Sequence, residues 1–201
     1  YNYSLSFIPS AKANGISDNI IKYKPKLVII HSTIGLGSTL SLYKKFGNVV
    51  HSPVRGVHPN LYKGIKTFVK YIGADDKRLG LKAAKHLESL GIKKVKVLGS
   101  SKTSELGKLL DTTYYGVCIA FHDYANKICA EQKINFEDVM TDFNKTYNEG
   151  YKKLGMANVI RPVLFPPKNS KIGGHCVVPN AEILKSLFGE DPLLKSILRH
   201  K

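Results

Sequence analysis

The chain has 201 residues, 43% of them hydrophobic, with 31 Lys and Arg against 15 Asp and Glu. That balance suits one large or two small folded domains and excludes a disordered or fibrous chain. No apolar run approaches the roughly 18 residues that span a bilayer, no signal peptide is evident, and three cysteines make no disulfide framework, so a cytoplasmic, reducing setting is expected.

The formal net charge of +16 favours anionic partners. Only four of the basic residues are Arg (Arg55, Arg78, Arg161 and Arg199). Arg is the usual reader of base edges, and the lysines form no block, so nucleic acid is not the expected partner. A small anionic substrate or cofactor is. Tyr1 is not Met, and initiator Met is removed mainly before small residues, so a fragment or processed product is expected.

In chain order, Tyr3 to Ile8 reads as a short β-like run, and Ile16 to Tyr23 as a helix stopped by Pro25. Leu27 to His31 is a continuous apolar run suited to a buried parallel strand. A helix over Gly35 to Phe46 and a strand over Asn48 to His51 follow. Thr67 to Ile72 and Lys94 to Leu98 are strand-like, and between them lies a helix over Asp75 to Leu90, with acids at its start and Gly91 as its stop. From Ser104 to Lys133 there is no Pro, and Leu106, Leu109, Leu110, Tyr114, Val117, Phe121 and Ile128 recur at helical spacing, which predicts one long helix. Asn135 to Leu154 supplies a further helix or two, residues 158 to 172 a Pro-rich loop, and Glu182 to Phe188 and Pro192 to Leu198 short helices. The fold expected is α/β: a partial, mainly parallel sheet over 1–100, then a long connecting helix and a mostly α-helical domain over 101–201.

Two phosphate-loop patterns fail on their residues. Gly35-Leu36-Gly37-Ser38-Thr39-Leu40 has Leu40 where the third glycine of a dinucleotide loop belongs, and Arg55 rather than an acid follows about 20 residues on. Gly107-Lys108 lacks the first glycine and the hydroxyl of a Walker loop. Cys118 and His122 lie one helical turn apart with no second pair, so they and Cys129 are read as core and no metal site is expected. His51 and His58 are read as structural, and Tyr114 and Tyr115 as helix packing. The strongest chemical signal is Gly173-Gly174-His175-Cys176: the glycines permit close backbone approach to a ligand, and a cysteine on such a turn is a candidate nucleophile.

Several separated segments together resemble the UDP-glucose/GDP-mannose dehydrogenase family. His31-Ser32-Thr33 followed by Gly37 is similar to its S-T-x-x-x-G segment, and Ser52-Pro53-Val54-Arg55 to its S-P-E-R segment. Glu105-x-x-Lys108 is similar to its E-x-x-K-x-x-x-N element. Arg161 ahead of Gly-Gly-His-Cys resembles its substrate loop and nucleophile. The resemblance implies the second half of a Rossmann domain that binds NAD, a central helical domain, a nucleotide-sugar substrate and a homodimer built through the long helix. It implies that a sugar alcohol is oxidised to a carboxylate through a cysteine thiohemiacetal and thioester, with Cys176 the nucleophile and Lys108 stabilising negative oxygen. It places Pro9, Ser10, Ser32 and Thr33 by the cofactor, and Arg161, Gly173, Gly174, Thr112 and Asn180 by the substrate. The departures are Val54 for the family's glutamate, Thr112 for its asparagine and Asn180 for its aspartate. A neutral amide is no base, so thioester hydrolysis is the step these changes touch. The alternative is a non-catalytic nucleotide-sugar-binding or assembly module that kept the fold.

Overall fold

The computed structural model describes residues 13–56, 60–173 and 175–201. The β-like run at Tyr3 to Ile8, Pro9, Ser10, His58 and Gly174 lie outside the described residues. The chain forms two compact units, 1–110 and 111–201.

In the first unit, α1 (Ala13–Tyr23) leads to β1 (Val28–Ile30), α2 (Ser38–Phe46) and β2 (Val49–His51). After α3 (Leu61–Thr67) come β3 (Lys70–Gly73), α4 (Lys77–Ser89) and β4 (Val95–Leu98). The four strands lie in the order β1-β2-β3-β4. Alternate strand residues face opposite ways. Ile29, Val50 and Ile72 pack with Ala83, Ala84 and Leu87 of α4. Val28, Ile30 and Val49 pack with Ile20 of α1 and Leu42 of α2. Both faces of the sheet are therefore covered by helices, which is why β1 is apolar at every position.

The sheet is parallel except at one place. β1 pairs parallel with β2 and β3 with β4, but β2 meets β3 antiparallel, His51 opposite Gly73. A parallel return needs a crossover helix that packs across the sheet. The intervening α3 buries no residue fully and touches the core through the half-buried Ile65, too little to pack across the sheet. The sequence reading missed α3 because its seven-residue LYKGIKT run carries only Leu61 and Ile65 as aliphatic side chains, and Gly64 interrupts it.

β3 comes very close to the start of α5 (Ser101–Glu131). A side chain on Gly73 would meet Ser101 Cα at 2.8 Å and Ser100 O at 2.9 Å, both backbone atoms. Asp76 caps α4 by accepting from Leu79 N (2.7 Å). Asp75, read from sequence as part of that same helix start, caps α5 instead, accepting from Ser101 N (3.2 Å) and from the Ser100 and Ser101 hydroxyls.

The unit boundary at Leu110 falls inside α5. The second unit continues through a π-helical stretch (Glu137–Asp142) into α6 (Phe143–Lys153), then a loop with two 3₁₀ turns, then α7 (Val177–Phe188) and α8 (Pro192–Leu198). Here α5 packs at Gly116, where a Cβ would lie 2.5 Å from Val177 and 3.1 Å from Ile197.

Gly116→Ala is therefore expected to lower stability, because the overpacking cost of about 1–3 kcal/mol against a stiff Val exceeds the helix-propensity gain of up to ~1 kcal/mol. Gly107→Ala, on the same helix with open space around it, is expected to raise stability by up to ~1 kcal/mol. Thermal melts of the two variants read the contrast.

Candidate functional site

In the first unit the turn after β1 carries Ser32 and Thr33, and the turn after β2 carries Ser52 to Arg55. The two are tied together. Ser52 N donates to Ile30 O (2.8 Å) and Val54 N to His31 O (3.2 Å). The buried Lys70 ammonium donates to Ser52 O (2.7 Å) and Pro53 O (3.0 Å), with His31 Nδ1 at 3.2 Å. His51 is fully buried: Nε2 donates to Ser32 O (3.1 Å), and Nδ1 lies 2.7 Å from Ser104 Oγ of α5. It is a satisfied structural histidine. Since Ser32 O can only accept, the neutral ring carries its proton on Nε2, which leaves Nδ1 the unprotonated nitrogen facing Ser104 Oγ, a hydroxyl that also donates to Ser101 O (2.9 Å).

Glu105, which the sequence marks only by its spacing from Lys108, is 0% exposed. Its carboxylate accepts from Gly37 N (2.6 Å) and Thr39 N (2.8 Å), closing the N-terminus of α2. A buried carboxylate is tolerable there because backbone N–H groups and the positive helix end compensate it. The Gly37 and Thr39 amides of that helix start are therefore engaged by a side chain of this chain. Lys108 lies half-buried one turn further along α5, and its charge adds to that of Lys70 near His51. Thr112 follows after another turn, also half-buried.

Burial, and then the nearby Lys70 charge, holds His31 down at about 4, and burial does the same for His51. Burial and the Lys108 charge bring Lys70 down to about 8. Arg55 lies over the rings of Tyr71 (5.3 Å) and Phe68 (5.6 Å).

In the second unit Cys176 is exposed, at the N-cap of α7, with no hydrogen bond from its side chain to the helix. The sequence reading began this helix at Glu182. It begins at Val177, because Pro179 sits in the first turn, where a missing N–H costs nothing. The first turn thus offers the N–H groups of Val177 and Val178 beside the thiol. Asn180, one turn on, is buried, and its Nδ2 has no partner among the described residues. Gly173 lines an open cavity of about 440 Å³ with Tyr115, Ile119, Phe165, Pro167, Lys168 and Lys171 among its walls.

Arg161 is racked on α6. Its backbone N–H and C=O bond the Asn148 side chain (2.7 and 2.8 Å), and its guanidinium lies 4.2 Å from the centre of Tyr147 and 5.3 Å from that of Tyr151. Sequence reasoning missed Asn148, Tyr147 and Tyr151; the i, i+4 spacing of the tyrosines was the available signal. Cys129 and His122 are buried, as read, and Cys118 is half-buried. Among the described residues no group of His, Cys, Asp or Glu forms a metal site. Tyr114 and Tyr115, read as packing residues, are instead 63% and 49% exposed.

The histidine environments carry a pH dependence. The folded state resists protonating His31 and His51 down to about 4, while the unfolded chain protonates near 6.5. Stability from these groups is complete above 6.5 and falls as the pH drops from 6.5 towards 4, by at most about 3 kcal/mol per histidine. Chemical denaturation of the chain at pH 7.0, 5.5 and 4.5 is expected to show this loss, and His31→Asn to reduce its slope.

No family model matches the chain. The UDP-N-acetyl-D-mannosamine dehydrogenase of Methanocaldococcus jannaschii is 30% identical over 156 residues, covering 75% of this chain and 33% of that protein. Among solved structures, the UDP-D-ManNAc dehydrogenase of Pyrococcus horikoshii matches with a TM-score of 0.68 and 23% identity, over 86% of this chain and 41% of that one. The NDP-N-acetyl-D-galactosaminuronic acid dehydrogenase of Methanosarcina mazei matches with a TM-score of 0.68 and 20% identity, over 98% and 46%. At these identities the structures show a shared, Rossmann-like α/β fold. The chain spans about a third of the length of the curated relatives it matches. The sequence relative and the two structures named here are nucleotide-sugar dehydrogenases, and it is to this family that the chain is related.

Proposed function

We propose that this chain is part of an NAD-dependent nucleotide-sugar dehydrogenase that oxidises a sugar primary alcohol to a carboxylate through a cysteine adduct. Residues 1–100 are read as part of the cofactor domain and 101–201 as the connecting helix and central domain. The observation that carries this reading is Cys176: an exposed thiol at the N-terminus of α7, reached through a loop whose Gly173 lines a cavity that also presents Lys168 and Lys171.

The described residues do not by themselves cradle a dinucleotide. The one glycine-rich strand-to-helix turn among them is closed by Glu105. Ser32 and Thr33, just after β1, are assigned to the cofactor by the family resemblance, and the Ser32 hydroxyl, buried without a partner among the described residues, supports that reading. The pyrophosphate needs donors beyond these. Pro9 and Ser10 are assigned to the cofactor by the family resemblance alone.

The chemistry of this chain's own side chains is addition to a carbonyl. The Cys176 thiolate attacks the aldehyde carbon, forming a C–S bond while the π pair moves to oxygen. Positive groups stabilise that oxygen, a role that the family resemblance gives to the Lys108 ammonium. Arg161, held by its aromatic rack, and Gly173, Gly174, Thr112 and Asn180 are assigned to the substrate, a nucleotide sugar such as UDP-N-acetylmannosamine. At the acyl stage Val54 and Asn180 supply no base, so another group must activate water. The same two residues favour a second reading, a module that binds a nucleotide sugar without turnover.

A homodimer through α5 is supported by Leu110, Tyr114, Phe121, Tyr124 and Ile128, exposed apolar side chains at three- and four-residue spacings along that helix. Among the described residues no helix is long and apolar enough to cross a membrane, and we place the protein in the cytoplasm.

In the whole protein, Cys176→Ser is expected to lower NADH formation from UDP-N-acetylmannosamine or UDP-glucose by about a thousand-fold or more while substrate binding persists. Normal turnover in that variant sinks the enzymatic reading; binding without turnover in the wild type selects the second. Phe121→Glu is expected to convert a dimer to a monomer in sedimentation velocity, and an unchanged mass would argue against α5 as the interface.

A further inference from the structure

The loop that enters the cysteine turn is held by two buried groups that none of the chemistry above uses. Asp123, on α5, is 2% exposed. Its carboxylate accepts from Ser170 Oγ (2.8 Å) and pairs with Lys127 Nζ (2.6 Å). Burial alone would raise this carboxyl, but the hydrogen bonds from Lys127 and Ser170 hold it below its ordinary value. His200, just past α8, is also 2% exposed. Its Nδ1 donates to Ser170 O (2.8 Å), and its own carbonyl accepts from Ile172 N (2.9 Å). Ser170 is therefore gripped by side chain and backbone together, and Ile172 by backbone.

The grip coincides with an unusual backbone. Asn169 and Ser170 both have φ of 54°, two consecutive non-glycine residues in the left-handed region. Such a pair persists only where the surroundings over-determine it. Ser, Asp and His here do not make a hydrolytic triad. The carboxylate accepts the serine proton directly, and the imidazole meets the serine carbonyl rather than its hydroxyl. His200 Nδ1 stands 3.7 Å from Asp123 Oδ2, and His200 Nε2 has no partner among the described residues.

We propose that Asp123, Ser170 and His200 form a latch that positions the Cys176 turn, with His200 and Asp123 as positioning residues remote from the reacting atoms. The latch clamps Ser170 and Ile172 immediately before Gly173, and Val177 is buried immediately after Cys176. The exposed turn is thus held at both ends. The purpose assigned to the latch rests on reading Cys176 as the nucleophile, but its existence is read out without turnover.

The test uses the full chain with His200→Leu, Ser170→Ala and His200→Asn, whose Nδ2 replaces the Nδ1 donor. Two local signals are followed: tryptic cleavage after the exposed Lys168 and Lys171, and the rate of Cys176 alkylation by iodoacetamide. Both are expected to rise about tenfold in His200→Leu, as for local opening after loss of a buried hydrogen bond. A smaller rise is expected in Ser170→Ala, and His200→Asn should return close to the wild type. Alkylation of the buried Cys129 should stay unchanged. Unchanged cleavage and Cys176 reactivity in both His200→Leu and Ser170→Ala overturns the latch. So does a rise in Cys129 reactivity that matches that of Cys176, which marks global loosening. If His200→Leu does not fold, Ser170→Ala alone decides. A wild type with no turnover but an intact latch signature removes the enzymatic reading and leaves the latch standing.

Discussion

The carboxylate of Glu105 is the contact on which the first unit depends. It is fully buried, and burying a charge is tolerable only where fixed dipoles replace water. The first-turn amides of α2 do so, through Gly37 N and Thr39 N. The consequence is mechanical: the turn after β1 is bonded directly to the first turns of α5. His51 adds a second link from the end of β2 to Ser104. Asp75 adds a third from the end of β3 to Ser101. Three strand ends therefore meet the same short stretch of α5, and Gly73 lets the backbones come that close.

Beneath those links lies a cluster of bases. Lys70 and His31 converge on the carbonyls of Ser52 and Pro53, with His51 and Lys108 near enough to add to their field. Burial there keeps His31 and His51 uncharged near neutral pH, so the histidines add no charge beside the Lys70 ammonium. The loop from Ser52 to Arg55 is shaped by these contacts and by the Tyr71 and Phe68 rings against Arg55. The second unit works by close packing instead: Gly116 admits Val177 and Ile197, which sets where α7 starts and so where Cys176 is exposed.

Much of this was legible in the chain. β1 showed itself as a continuous apolar run because both its faces are buried. α4 was marked by its acidic start and Gly91. The Gly173 to Cys176 segment stood out because glycines and cysteine are chemically specific. The missed parts share a cause. α3 is short and reaches the core only partly, through Ile65, so no clear periodicity marks it. The start of α7 was hidden by Pro179, which breaks a helix interior but suits a first turn. Tyr114 and Tyr115 share the α5 pattern with core residues, and an apolar stripe reads the same whether the chain itself covers it or leaves it exposed.

The sequence by itself determined the α/β class, the long helix, the covered sheet and the residues able to do chemistry, because periodicity and residue type are local properties. Only the tertiary structure decided what those residues touch. It made Glu105 a helix cap, placed both Arg55 and Arg161 on aromatic rings, and joined Asp123, Ser170 and His200 across 77 positions of chain. Hydrogen bonds between distant segments leave no period in a sequence, since each partner is chosen by where the fold brings it and not by its neighbours along the chain.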